Sequence, residues 1–305
     1  MNLATLIPTI SSKKGDGGRL AVIGGCIQYT GAPYFSAISA LRVGGDIAHV
    51  MCTEAACLPI KTYSPELIVH PILPENGKGI PSDQADKIKE WLPRVHVATL
   101  GSGLGTDLLV RETVLLTIRN LRELGKPFVI DADGIQLVID NPSIVRGYQN
   151  CILTPNYNEF RKIKAHFYPD VENDEEVLRK FAIFLEGPTI LKKGAVDIIC
   201  DGKYEIRVTE EGSQKRCGGQ GDLLTGVTGI FFHWALKAAA TSQHEQLRER
   251  PSLFAAAAAC HIVRKAAKQA CLLKGRSLVA SDIIPFLGPS VDTSSDIALH
   301  ATALV

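Results

Sequence analysis

Short apolar runs separated by helix-length segments recur along this chain of 305 residues, and that alternation constrains its fold more than any other feature. Arg19–Gly25 is apolar and ends in paired glycines, as a buried strand does. Apolar residues at helical spacing follow over Ala32–Val43, with Pro33 suited to a first helical position. Further strand-like runs lie at Asp46–Cys52, Glu66–His70, Val95–Leu100, Pro127–Ile130, Cys151–Thr154 and Thr189–Lys192. Helices are predicted between them over Pro81–Leu92 and Thr106–Leu124. Ile198–Cys200 and Glu205–Val208, separated by Asp201-Gly202, read as a hairpin. Beyond these the pattern is helical over Gly221–Lys237, Pro251–Leu273 and Ser281–Phe286, with polar Gln243–Arg250 expected as an exposed loop. The alternation implies an α/β fold with a mostly parallel central sheet, covered by helices on both faces. No linker or repeat interrupts it, so a single domain over 1–305 is expected. Such sheets bind ligands beyond the carboxyl ends of their strands. The loops at 101–105, 154–159, 193–197 and 218–222 should therefore converge on one crevice.

The charge balance, 33 basic against 32 acidic residues, gives no electrostatic case for nucleic acid or an anionic membrane. Any anion site must be built locally. The eight cysteines form no CxxC pair and no zinc-ligand spacing, and several sit inside apolar runs, as reduced, buried thiols do. Met1–Lys14 has no signal-peptide core, and the apolar run near Leu253–Val263 is broken by His261 and Arg264. A soluble, cytoplasmic protein is expected.

The strongest local motif is Cys217-Gly218-Gly219-Gln220-Gly221-Asp222, which runs directly into apolar Leu223-Leu224. Unpaired N–H groups at such a helix start can hold a phosphate, and glycines let the backbone approach it. An acid there suits a general base beside a phosphoryl group in transit, or simply a helix cap. Gly101-Ser102-Gly103-Leu104-Gly105 lacks the dinucleotide GxGxxG spacing, and no P-loop motif exists. It is either a loop over a ligand or a plain strand–helix turn. Lys192 and Lys193 end a strand and either reach a phosphate or lie in solvent. Asp131, Asp133, Asn156 and Glu159 follow strands too, where they can serve Mg²⁺ and substrate or cap helices. The histidines show no ligand spacing.

Taken together, these motifs resemble one family. KKGDGGRLAVIGG (13–25), YTGAPYFSA (29–37), PELIV (65–69), GSGLG (101–105), VIDADG (129–134), ILTPNYNEF (152–160), LKKGAVD (191–197), RCGGQGDLLTG (216–226) and SLVASDI (277–283) stand in the order found in eukaryotic ATP-dependent (S)-NAD(P)H-hydrate dehydratases, members of the ribokinase-like superfamily. The resemblance spans nearly the whole chain. It implies a three-layer α/β/α sandwich that repairs NADH or NADPH hydrated at C6 of the nicotinamide ring. ATP would phosphorylate the C6 hydroxyl, and loss of phosphate would restore the dihydropyridine, leaving ADP and phosphate.

By family position Asp222 would be the base, expected to stay ionised at a helix N-terminus, with Gly218, Gly219 and Gly221 forming the anion hole. ATP contacts carry over to Lys193, Gly194, Ala195, Val196 and Asp197, and to Gly212, Ser213, Gln214, Lys215, Arg216, Cys217, Gly218, Gly219, Gln220 and Gly221. Hydrate contacts carry over to Ala32, Gly103, Asn156, Tyr157, Asn158, Glu159, Phe160, Arg161, Lys162 and Asp222. Mg²⁺ would bridge the ATP phosphates, through protein ligands the resemblance does not name. Bacterial relatives often have His at position 156 and Thr at 220; Gln220 points to the ATP-using eukaryotic group. The partners implied are the two small-molecule substrates, and a homo-oligomer stays open. The rival readings are a kinase acting on a vitamin precursor and a nucleotide-binding regulator without activity.

Overall fold

The strand-like runs assemble into one ten-stranded sheet in a computed structural model that describes residues 1–304. In chain order the first elements are β1 (Arg19–Ile23), α1 (Gly31–Arg42), β2 (Ile47–Cys52), α2 (Glu54–Tyr63), β3 (Leu67–Pro71), α3 (Pro81–Trp91), β4 (Val97–Leu100) and α4 (Leu108–Glu123). Next come β5 (Phe128–Ile130), α5 (Asp133–Asp140), β6 (Cys151–Leu153), α6 (Tyr157–Phe167), α7 (Asp174–Leu185), β7 (Thr189–Lys192), β8 (Asp197–Cys200) and β9 (Tyr204–Val208). The last are α8 (Gln220–Thr241), α9 (Glu245–Glu249), α10 (Pro251–Lys274), α11 (Ala280–Asp292) and β10 (Thr302–Ala303).

Sheet order is β10-β9-β8-β7-β6-β5-β4-β1-β2-β3. Strands β1 to β7 pair in parallel, while β8, β9 and β10 continue the sheet antiparallel. The chain moves outward from β1 to β3, then returns to β4 on the other side of β1. That reversal opens a crevice at the carboxyl ends of β1 and β4, the usual place for a ligand in such a sheet.

Side chains alternate across the sheet, as the pleat requires. Leu20 and Val22 of β1 join a core built with α1, α8, α10 and α11, whereas Ala21 and Ile23 join a second core with α3 to α7. Two helical layers on one sheet make the expected α/β/α sandwich. α8 lies deepest. It is long and apolar enough to cross a membrane by length and composition, but 67% of that window is buried inside the fold, so it reads as a core helix. Gly226 permits its packing, since a Cβ there would stand 1.8 Å from the Ser36 carbonyl oxygen of α1.

The structure departs from the sequence reading at several elements, β10 among them. α2 and α7 were not foreseen; α2 carries an internal Pro59, and α7 starts on the Asn173 side chain, which accepts from Glu175 and Glu176 N–H. Gln243–Arg250 is not a bare loop but contains α9, anchored by fully buried Leu247. α11 runs on to Asp292 through Pro285 and Pro289. There the burial of Ile283, Leu287 and Val291 outweighs the loss of two helical hydrogen bonds.

Candidate active site

The glycine-rich turn lies over the carboxyl ends of β4 to β7. Gly219 has φ +89°, and a Cβ on it would come within 2.8 Å of Phe35 and Ala280. Only glycine fits there. No side chain caps α8, so its first N–H groups are left for a ligand. Gly221 faces the chemistry: a Cβ there would lie 3.4 Å from Lys193 Nζ and 3.9 Å from Asp131 Oδ2.

Lys193 is not a solvated strand end. Its N–H donates to the Pro155 carbonyl at 2.9 Å, and its ammonium donates to Asp131 Oδ1 at 2.6 Å, with both side chains buried. The other oxygen of Asp131 accepts from Thr225 Oγ1 at 2.6 Å. Burial pulls the Lys193 pKa down, but the charges of Asp131 and Glu159 outweigh it and hold the ammonium above its ordinary value. Asp133 instead ties down the glycine loop, accepting from Gly105 N–H at 3.2 Å.

Two more carboxylates face this lysine. Glu159 closes a capping box with Asn156 at the start of α6, so both residues cap as well as border the site. Burial, and then the negative charge of Asp131, push Glu159 up to about 7. The same two causes, in the same order, push Asp222 to about 7, against the opposing pull of the Ser102 hydroxyl and the Lys193 ammonium. The expectation that a helix N-terminus keeps Asp222 ionised is therefore corrected. A half-unit of dipole charge does not offset desolvation plus a neighbouring carboxylate. Burial and the Asp131 charge thus bring Asp222 toward neutral pH, the range in which a general base works best.

Beside this cluster opens a cavity of about 850 Å³. Lys193, Gly194, Ala195, Val196 and Asp197 line it from one side, and Gly212, Ser213, Gln214, Arg216, Gln220 and Gly221 from the other. Lys215, Cys217, Gly218 and Gly219, expected in the same set, do not line it. Gly219 instead packs on Phe35, while Lys215 and Gly218 are exposed. Asn156 and Tyr157, expected on the hydrate, border this same cavity. Ala32 and Gly103 do meet: a Cβ on Gly103 would lie 2.7 Å from Tyr29 and 3.5 Å from the Ala32 Cβ. Phe160 lies in the core, and Asn158, Arg161 and Lys162 are exposed on α6.

Arg264 was missed. It crosses from α10 to bind Asp197 Oδ2 at 2.6 Å, the Gly194 carbonyl at 2.8 Å and the Glu210 carbonyl at 3.1 Å, tying the cavity's two walls together. The signal was present: a lone arginine closing an otherwise apolar helical run. A second cavity of about 310 Å³, bordered by Cys26, Thr53, Glu75, Gly105 and Asp107, opens on the far side of the glycine loop.

Fold and site together define an α/β/α sandwich with a deep cavity at the carboxyl edge of its sheet. A ribokinase-like superfamily protein of Enterococcus faecalis superposes with a TM-score of 0.75 at 18% identity, over 97% of this chain and 96% of that one. A family model described as NAD(P)H-hydrate dehydratase matches residues 20–287, and the chain belongs to that family. The ATP-dependent (S)-NAD(P)H-hydrate dehydratase of Danio rerio is 43% identical over 283 residues, covering 91% of this chain and 83% of the relative. An ADP/ATP-dependent NAD(P)H-hydrate dehydratase of Bacillus subtilis, co-crystallised with ATP and Mg²⁺, has a TM-score of 0.65 at 16% identity, over 95% of each chain.

Proposed function

We propose that this chain is an ATP-dependent (S)-NAD(P)H-hydrate dehydratase, with the chemistry centred on Asp222 in the first turn of α8. The observation that carries the reading is a carboxylate in the first turn of a glycine-led helix, beside the buried Lys193–Asp131 ion pair. ATP has room in the larger cavity, its phosphates toward the first turn of α8. The hydrated nicotinamide enters from the Ala32–Gly103 side. Asp222 takes the C6 hydroxyl proton as that oxygen attacks the γ-phosphorus and ADP leaves. Backbone N–H groups at Gly221 and the Lys193 ammonium stabilise the charge spread over the moving phosphoryl group. The C6–O bond then breaks with the phosphate as leaving group, driven by the ring-nitrogen lone pair, and loss of the C5 proton restores the ring double bond.

Among the described residues no three His, Cys, Asp or Glu side chains gather as a metal cluster. The donor set fits Mg²⁺ all the same, because that ion is commonly held by substrate phosphates, water and one carboxylate. Glu159 stands beside Asp131 but spends both oxygens on Asn156, so phosphate oxygens and water would supply most of the ligands. When bound, the cation neutralises β- and γ-phosphate charge. All eight cysteines are free and six are buried, which supports a reducing, cytoplasmic setting.

The test is to incubate the protein with hydrated NADH or NADPH, ATP and Mg²⁺. Dihydronicotinamide absorbance should return with equimolar ADP and free phosphate. A vitamin-precursor kinase leaves the absorbance flat and keeps its phosphate on the product; a regulator consumes no ATP.

A further inference from the structure

Thr225 makes a hydrogen bond unlike those of the other helical threonines. In α4, Thr113 and Thr117 return their hydroxyl protons to the carbonyl four residues back, each at 2.8 Å. Thr225 makes the same kind of contact, to the Gly221 carbonyl, only at 3.0 Å. Its shorter bond leaves the helix and reaches Asp131 Oδ2 at 2.6 Å. A hydroxyl has one proton, and a charged acceptor at that distance takes most of it. Thr225 is wholly buried and Asp131 is 2% exposed, so no solvent substitutes for the bond.

Asp131 is thus held at both oxygens, by Thr225 on one and Lys193 on the other. The lysine has two further carboxylates within its field, Glu159 and Asp222. Which of the three it pairs with decides whether the base is free. Paired with Asp222, it would quench the carboxylate that must accept the hydroxyl proton. Paired with Asp131, it leaves Asp222 available and keeps its own charge against Gly221. Thr225 lies three residues beyond Asp222, on the same helical face, and reaches the carboxylate that holds the lysine.

We propose that Thr225 is a positioning residue for phosphoryl transfer: its hydroxyl locks Asp131, and Asp131 so held keeps the Lys193 ammonium on the first turn of α8 and off Asp222. The proposal rests on the dehydratase reading and adds a residue to it. Thr225 touches neither substrate nor reacting atom; it acts through Asp131 and Lys193.

Thr225→Val and Thr225→Ser separate this role from packing, because valine keeps the shape and serine keeps the hydroxyl. The expected result is a kcat lowered roughly ten- to hundredfold in Thr225→Val, the scale on which a misplaced group costs rate, with the KM for ATP changed less than about threefold. Thr225→Ser should return kcat to within about threefold of the parent. A packing role predicts the reverse order, valine near the parent and serine impaired, and that order overturns the proposal. So does equal impairment in both. Should Thr225→Val fail to fold, Thr225→Ala, which cannot overpack the site, must show the same kcat loss against Thr225→Ser, and parental kcat in it overturns the proposal. A parent that leaves the hydrate unchanged instead refutes the dehydratase reading, and this proposal with it. An active parent matched by Thr225→Val refutes the proposal alone.

Discussion

Asp222→Asn should make the protein more stable and nearly inactive at once. Folding lifts the Asp222 pKa from 3.8 to about 7, so the native state disfavours its ionised form. For an acid shifted upward, the penalty is absent below the unfolded pKa, grows as pH rises between the two values, and is complete above about pH 7. At about 1.4 kcal/mol for each tenfold change in acidity, that rise bounds the penalty at roughly 4 kcal/mol. Asparagine keeps the shape and cannot ionise, so it removes that penalty. At roughly 2 °C per kcal/mol for a chain of this size, the melting temperature should rise by several degrees at pH 8, and by progressively less as the buffer approaches pH 4. Turnover should fall at least about a hundredfold, the lower end of general-base effects, with ATP binding largely intact. Thermal melts across pH, paired with recovery of dihydronicotinamide absorbance, check both halves. Parental turnover removes Asp222 from its role as base. A variant less stable than the parent at pH 8 refutes the account of its electrostatics.

Other consequences follow from the same geometry. Lys193→Met should destabilise by about 3–5 kcal/mol, because it strands buried Asp131 without its cation, and should abolish measurable turnover; denaturant melts and the hydrate assay test it. Arg264→Gln unties Asp197, Gly194 and Glu210, so the KM for ATP should rise roughly tenfold while kcat falls less, as loss of uniform binding does; an unchanged KM contradicts its bracing role. Gly226→Ala drives a methyl into the Ser36 carbonyl and should cost more than about 3 kcal/mol, visible as insoluble or low-melting protein. In the parent, kcat/KM for the hydrate should climb with pH through a limb near 7 set jointly by Asp222 and Glu159, and a flat profile from about pH 6 to 8 speaks against that pair.

What the sequence disclosed depended on how local each signal was. Strands such as Thr189–Lys192 declared themselves because a buried parallel strand is a continuous apolar run with a polar end. The glycine-led start of α8 declared itself because positive φ and close approach require glycine. Lys193 and Asp131 were each visible as polar residues closing a strand, but their ion pair joins β5 to β7, 62 positions apart, and nothing local encodes it. Arg264 showed locally only as a break in an apolar run, since its partners lie on another wall of the cavity. The Asp222 pKa was misjudged because the helix dipole is legible from position, whereas desolvation and the Asp131 charge exist only once the fold brings them together.

The weakened acidity of this corner also governs how the site admits its substrates. Three carboxylates surround one ammonium, a poor host for two anionic nucleotides if all three were ionised. Burial resolves the conflict. With Asp131 committed to Lys193 and Thr225, the remaining acids, Glu159 and Asp222, are pushed up toward neutral pH by burial and by the Asp131 charge. The protonated form of each withholds a negative charge from the pocket. Their proton affinity also makes them able acceptors once a hydroxyl and a phosphoryl group face each other across the first turn of α8. The desolvation that destabilises this corner of the fold is thus the same quantity that matches its base to the reaction, which is why stability and turnover should move in opposite directions when Asp222 loses its charge.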